Sequence, residues 1–194
     1  MGNELESLNS ISSMENLKKK AFDCEWCSLR KGCLGVVFGE GDANTDLMFV
    51  GEAPGRSEDE QRRPFVGAAG QLLDKILTAA DIDREEIYIT NSVKCRPQEN
   101  RFPQPEEQKA CFPWLVRQVQ LIEPKIIVCL GSLATKTILG PESKVTKMRG
   151  EVFRRKGINI IPTFHPAALL RDSRKKYPVW EDIQMIRDKY RALT

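Results

Sequence analysis

The chain contains a single histidine, His165, and its neighbours give it a chemical setting. It follows the apolar run Asn159-Ile160-Ile161-Pro162-Thr163-Phe164 and precedes Pro166, the pattern of a strand that stops at a turn. Open α/β sheets place ligands beyond the carboxyl ends of parallel strands, where an imidazole can hand a proton to a bound molecule. A histidine satisfied by backbone in the core is the bland alternative, and the company His165 keeps weighs against it. Gly51-Glu52-Ala53-Pro54-Gly55 follows another apolar run; its glycines and proline form a tight turn that can bring backbone N–H groups, and the Glu52 carboxylate, against a ligand. This turn lacks both the Gly-Lys-Ser/Thr of a triphosphate loop and the dinucleotide fingerprint, so those ligand classes lose support. Asn91 ends a third run, and its amide offers one acceptor and two donors, the pattern that reads an imide edge. Phe65, in Arg63-Pro64-Phe65-Val66-Gly67, sets an aromatic ring before a helical stretch; taken singly, such a ring is most often core.

Cysteines form the second chemical set. Cys24 and Cys27 are a close pair, Cys95 follows an apolar run, and Cys111 sits in the early turns of a helical pattern. Four such thiolates can converge tetrahedrally on zinc or on an iron–sulfur cluster, and ligand softness does not separate the two. The missing second close pair favours the bulkier cluster over a zinc ribbon. Cys129, inside an apolar run, reads as a small buried hydrophobe, whereas Cys33 lies near enough to the pair to compete as a ligand. A metal here would close loops and stabilise the fold with no redox duty.

A chain of 194 residues, 41% of them hydrophobic with 3 Trp and 8 Phe, suits one domain with an ordinary core. No run approaches the roughly 18 apolar residues of a membrane helix, and the start shows no basic-then-apolar signal peptide, so a cytoplasmic protein with reduced thiols is expected; a monomer is expected as well. The net charge of +3 says little, but residues 144–176 hold ten Lys or Arg against two acids, Glu151 and Asp172. That bias suits a solvated face or a surface that tracks phosphates.

Strands are expected at 47–50, 87–90, 125–130 and 159–164, where β-branched residues are bounded by turn formers. Helices are expected at 67–80, 105–122, 132–139 and 180–193, with Pro113 kinking or splitting the second. Strands alternating with helices imply an α/β fold: a three-layer α/β/α sandwich around a four-stranded parallel sheet. Residues 1–20 read as a polar leader, and 21–194 as a single domain.

Together, Gly51-Glu52-Ala53-Pro54-Gly55, Arg63-Pro64-Phe65-Val66-Gly67, Asn91 with Lys94-Cys95-Arg96-Pro97, and His165-Pro166-Ala167 resemble the family 4, iron–sulfur type of uracil-DNA glycosylase. The likeness runs from Cys24 to Leu170 with its motifs in the family's order. It implies the uracil-DNA glycosylase-like fold, uracil-containing DNA as partner and a [4Fe-4S] cluster held by Cys24, Cys27, Cys95 and Cys111. It implies a base pocket formed by Glu52, Ala53, Pro54, Phe65, Asn91 and His165, with Glu52 and His165 catalytic. In such an enzyme the base is flipped from the stack before its glycosidic bond breaks. Leu169, Leu170 and Arg171 are then candidates for the wedge that fills the vacated stack. Lys147, Arg149, Arg154, Arg155 and Arg174 are candidates for neutralising the DNA backbone. A non-catalytic DNA-binding or adaptor module of the same fold is the alternative reading.

Overall fold

Apolar runs of alternating large side chains can be buried on both faces only in the middle of a sheet, and that is where these four lie. A computed structural model describes residues 2–193, with side chains from Glu6 onward. Its strands are β1 (Glu40–Gly41), β2 (Leu47–Gly51), β3 (Tyr88–Asn91), β4 (Ile126–Leu130), β5 (Phe153–Arg155) and β6 (Ile158–Thr163), in the order β1-β3-β2-β4-β6-β5. Strands β3, β2, β4 and β6 are mutually parallel, as expected. The sheet nevertheless has six strands rather than four, because β1 and β5 add antiparallel edges. Both additions are too short for a periodic signal, and β5 carries Arg154 and Arg155, the charged character that keeps an edge from pairing further. Strand β5 turns into β6 through Lys156 and Gly157, both at positive φ (47° and 85°), the backbone of a tight hairpin.

Helices α1 (Gly2–Asn9), α2 (Met14–Phe22) and α3 (Leu29–Gly32) precede β1. Between β2 and β3 lie α4 (Arg56–Gln61) and α5 (Ala68–Ala79), and α6 (Pro105–Ile122) leads to β4. Helices α7 (Gly131–Leu139) and α8 (Val145–Met148) precede β5, and α9 (Pro166–Arg171) and α10 (Lys176–Arg191) follow β6. Successive strand residues face opposite ways. Leu47 and Phe49 therefore pack with Leu73 and Leu77 of α5 and Ile183 of α10, while Met48 and Val50 pack with Leu115 of α6 and Leu139 of α7. Helix α6 runs unbroken through Pro113, where a kink or split was expected. The ring deprives only the carbonyl one turn earlier of its partner, while buried Leu115 packs the helix on the sheet and buried Trp114 packs it against the N-terminal helices.

The polar first twenty residues hide anchors. Leu8 and Leu17 are fully buried with Trp114, and the Arg117 guanidinium donates to the Ile11 carbonyl at 2.6 Å. Two short helices are thus tied to α6, which matters for the cysteines described below.

Candidate active site

All four parallel strands end on one side, and the segments that follow β2, β3 and β6 deliver residues to the same place. The β2–β3 register pairs Gly51 with Asn91 and the β4–β6 register pairs Leu130 with Thr163, so the loops after these strands are neighbours. Beyond β3, Ser92 N–H and Ser92 Oγ both donate to the Gly51 carbonyl at 2.9 Å, and Val93 N–H donates to the Glu52 carbonyl at 3.2 Å, which fixes the turn after β2. A cavity of about 170 Å³ opens there, lined by Ala53, Phe65, Asn91 and His165 from the expected set, together with Gly55, Glu58, Ala69 and Ala167. The Phe65 and His165 rings stand 5.5 Å apart between centroids, inclined at 29°.

Two glycines permit this convergence: Gly51, from the turn motif, and Gly131, which no motif marked. A Cβ at Gly51 would lie 2.4 Å from Asn91 Oδ1 and 2.5 Å from Phe65 Cζ. Gly131 has φ +88°, and a Cβ there would meet the His165 Cβ at 2.9 Å. Only the absent side chain lets the amide, the phenyl ring and the imidazole approach from three strand ends.

The protonation of His165 follows from its contacts. Ala167 N–H donates to Nδ1 at 3.1 Å, so that nitrogen is the acceptor and the ring proton is on Nε2. Burial pushes the pKa down to about 4, and the Arg171 charge adds to the effect. The ring is therefore a neutral donor at ordinary pH. Burial raises the Glu52 pKa while Arg171 opposes the shift. Arg171 is exposed, and its charge acts on both groups. Asn91 Oδ1 is buried and has no hydrogen-bond partner among the described residues. An orphaned acceptor of this kind costs about 1–3 kcal/mol, which a ligand N–H would relieve.

Glu52 and Pro54 shape the turn without lining the cavity: Pro54 is buried and Glu52 half-buried beside it. Other expected residues lie elsewhere. Leu169 is 2% exposed within the core beside α10, so it cannot act as a wedge; its neighbour Leu170, 54% exposed, is the one that projects. Arg149 does not offer a free charge either, because its guanidinium donates to Asp182 at 3.0 Å and to the Pro178 carbonyl. Arg155 donates to the Ile138 carbonyl at the end of α7, and Arg174 pairs with Asp172. Lys147 and Arg154 are exposed.

Cys24, Cys27, Cys95 and Cys111 line one cavity, walled by Trp26, Leu29, Val36 and Trp114. Trp26 stacks on Trp114 with centroids 4.7 Å apart, which packs the Cys24–Cys27 turn against α6. Glu107, at the start of α6, accepts from Ser28 Oγ at 2.7 Å and from Arg101 at 2.7 and 2.9 Å, joining that turn to the loop after β3. None of the described cysteines is paired in a disulfide. Burial pushes the Cys111 thiol up to about 12, so a cationic group is needed to stabilise it as a ligating thiolate. Among the described residues, no three His, Cys, Asp or Glu side chains are gathered tightly enough for one metal ion. Four soft donors around an apolar cavity suit a bulkier cluster better than a lone ion. Cys33 Sγ donates to the Arg30 carbonyl at 3.6 Å, outside the cavity wall, and Cys129 is buried in β4.

A sequence model of the uracil DNA glycosylase superfamily matches residues 38–184. The type-4 uracil-DNA glycosylase of Sulfurisphaera tokodaii is 42% identical over 187 residues, covering 92% of this chain and 85% of that protein. The type-4 uracil-DNA glycosylase of Thermotoga maritima is 44% identical over 175 residues, covering 88% of this chain and 91% of its own. That of Archaeoglobus fulgidus is 40% identical over 168 residues, 82% of this chain and 84% of the relative. These matches take in the sheet and every loop that lines the cavity: the chain belongs to the uracil DNA glycosylase superfamily, with the type-4 uracil-DNA glycosylases.

Proposed function

We infer that this protein removes uracil from DNA by hydrolysing the N-glycosidic bond, with free uracil and an abasic site as products. The observation that carries the reading is the unpartnered Asn91 Oδ1 in a cavity flanked by Phe65 and His165. Uracil flipped from the stack fits these groups: its ring lies on Phe65, N3–H donates to Asn91 Oδ1, and O4 accepts from the Asn91 amide. Cytosine has no hydrogen on N3 and carries an amino group at position 4, so both contacts would be mispaired. A pocket built from such bonds discriminates by powers of ten.

Bond cleavage leaves negative charge on uracil and an oxocarbenium-like sugar. His165 Nε2–H donates to O2 of the departing anion as a neutral group, so the step needs no protonated imidazole. Backbone N–H groups of the turn at Ala53 assist. Glu52 stabilises the cationic sugar or orients the water that adds to it. Water supplies hydroxyl to the sugar carbon and a proton to uracil, which balances the reaction.

Cys24, Cys27, Cys95 and Cys111 would hold a [4Fe-4S] cluster. When bound, the cluster cross-links the N-terminal helices, the loop after β3 and α6. Lys147 and Arg171 neutralise DNA phosphates, and Leu170 rather than Leu169 fills the vacated stack. The protein acts as a monomer in the cytoplasm, on DNA; among its described residues no helix is long and apolar enough to cross a membrane.

Incubation of the pure protein with a uracil-containing oligonucleotide tests the reading. Free uracil and an alkali-labile site are expected. Tight binding with no release would overturn hydrolysis and leave the adaptor module of the same fold.

A further inference from the structure

The carboxylate of Glu58 joins two loops of the cavity. Glu58 is the third residue of α4, where glutamate commonly reaches back to cap its own helix. One oxygen does this: Gly55 N–H donates to Oε2 at 3.1 Å. The other oxygen faces a different segment, accepting from Val66 N–H at 2.9 Å and Gly67 N–H at 2.7 Å. Those donors follow Phe65, whose φ of 53° is a left-handed conformation that a bulky residue keeps only when its surroundings fix it. On the other side, Arg84 donates to the Pro64 carbonyl at 2.7 Å and is itself tied to Glu40 and Asp74. Phe65 is thus clamped from both flanks. Gly55 and Gly67 leave room for the clamp, since a Cβ would come within 2.7 Å and 3.2 Å of the Glu58 oxygens.

We propose that Glu58 is a positioning residue of the uracil pocket: by accepting from Gly55, Val66 and Gly67, it sets the Phe65 ring at a fixed distance from the Ala53 turn. This deepens the uracil-removal reading and rests on it. Three backbone donors engage the two oxygens, so Glu58 is not a free base. The site requires a group that only accepts. Glutamine would present its amide N–H₂ to one donor, and aspartate falls a methylene short.

Single-turnover uracil release is measured for Glu58→Ala and Glu58→Gln, beside binding to uracil-free duplex, thermal unfolding, and fluorescence of a base analogue flanking the uracil that reports flipping. Glu58→Ala is expected to slow release about 100-fold, the scale of a misplaced contact group. Its flipping signal should weaken while affinity for uracil-free duplex stays within about twofold. Glu58→Gln is expected to recover part of the rate, ending about tenfold down, since one of the bonds is lost. Release by Glu58→Ala within about twofold of the unsubstituted protein would overturn the proposal. So would a loss of uracil-free DNA binding as large as the loss of release. Should Glu58→Ala fail to fold, Glu58→Gln decides alone: unchanged release and flipping overturn the proposal. No uracil release by the unsubstituted protein would instead overturn the parent reading, and this proposal with it.

Discussion

Ala167 N–H occupies Nδ1 of His165, and burial holds the ring well below its usual range, at about pKa 4. Protonation would put a second donor where Nδ1 must accept, and would add a charge to a buried ring beside the Arg171 cation. The expected state is a neutral Nε2–H tautomer across the working range, which suits a donor to a departing anion. Because the chain has one histidine, nitrogen NMR reads it without ambiguity. The tautomer should persist from about pH 8 down to about pH 5, charging only near pH 4; a midpoint near the ordinary histidine value would refute it. His165→Ala should slow release by about 10²–10³-fold, the effect of removing one oxyanion donor, with DNA affinity nearly unchanged. Glu52 behaves differently, since burial raises its pKa and Arg171 restrains the rise.

At the scale of elements, side chains that look like surface charges hold the strand ends. Arg149, just past α8, reaches Asp182 on α10, and Asp182 also accepts from Thr163 Oγ1 at 2.6 Å at the end of β6, two residues before His165. Asp182 is 2% exposed, so removing its cation would strand a buried charge. Arg149→Ala is expected to lower stability by about 3–5 kcal/mol, with the salt dependence of DNA binding unchanged. Lys147→Ala should show the reverse: native melting, and a salt slope reduced by about one. Melting curves and binding isotherms at several salt concentrations check both, and the opposite assignment would return Arg149 to the DNA surface. Leu169 and Leu170 carry a similar lesson. Adjacent residues of a helix point about 100° apart, so only the packing of α9 decides which is core and which projects.

For the whole molecule, the four thiols gather three segments at one cavity: the turn after α2, the loop after β3 and the start of α6. Chelation of the proposed cluster is expected to raise hydrogen exchange first in residues 14–32 and the loop around 96–104, before the central strands respond. Anaerobically prepared protein should contain about four iron and four sulfide per chain. Uniform exchange across the sheet, or no change at the N-terminal helices, would show that the cysteines close no loops. Much of this design is local and therefore legible in the sequence. β-branched runs marked the four parallel strands, the turn motifs held four of the residues that line the first cavity, and the Cys24–Cys27 pair with Cys95 and Cys111 marked four thiols that line the second. These are periodic or compositional signals that a short window contains. The edge strands β1 and β5, the buried leucines of the polar N-terminal stretch, the Glu58 clamp and the Arg149–Asp182 pair escaped such windows. Each depends on partners distant in the chain: Glu58 caps its own helix in any local reading, and only folding brings Val66 and Gly67 to its second oxygen. Residue identity determined which chemistry was possible; the parallel register and the bare Gly51 and Gly131 decided that Asn91, Phe65 and His165 meet, because close approach is a property of three dimensions.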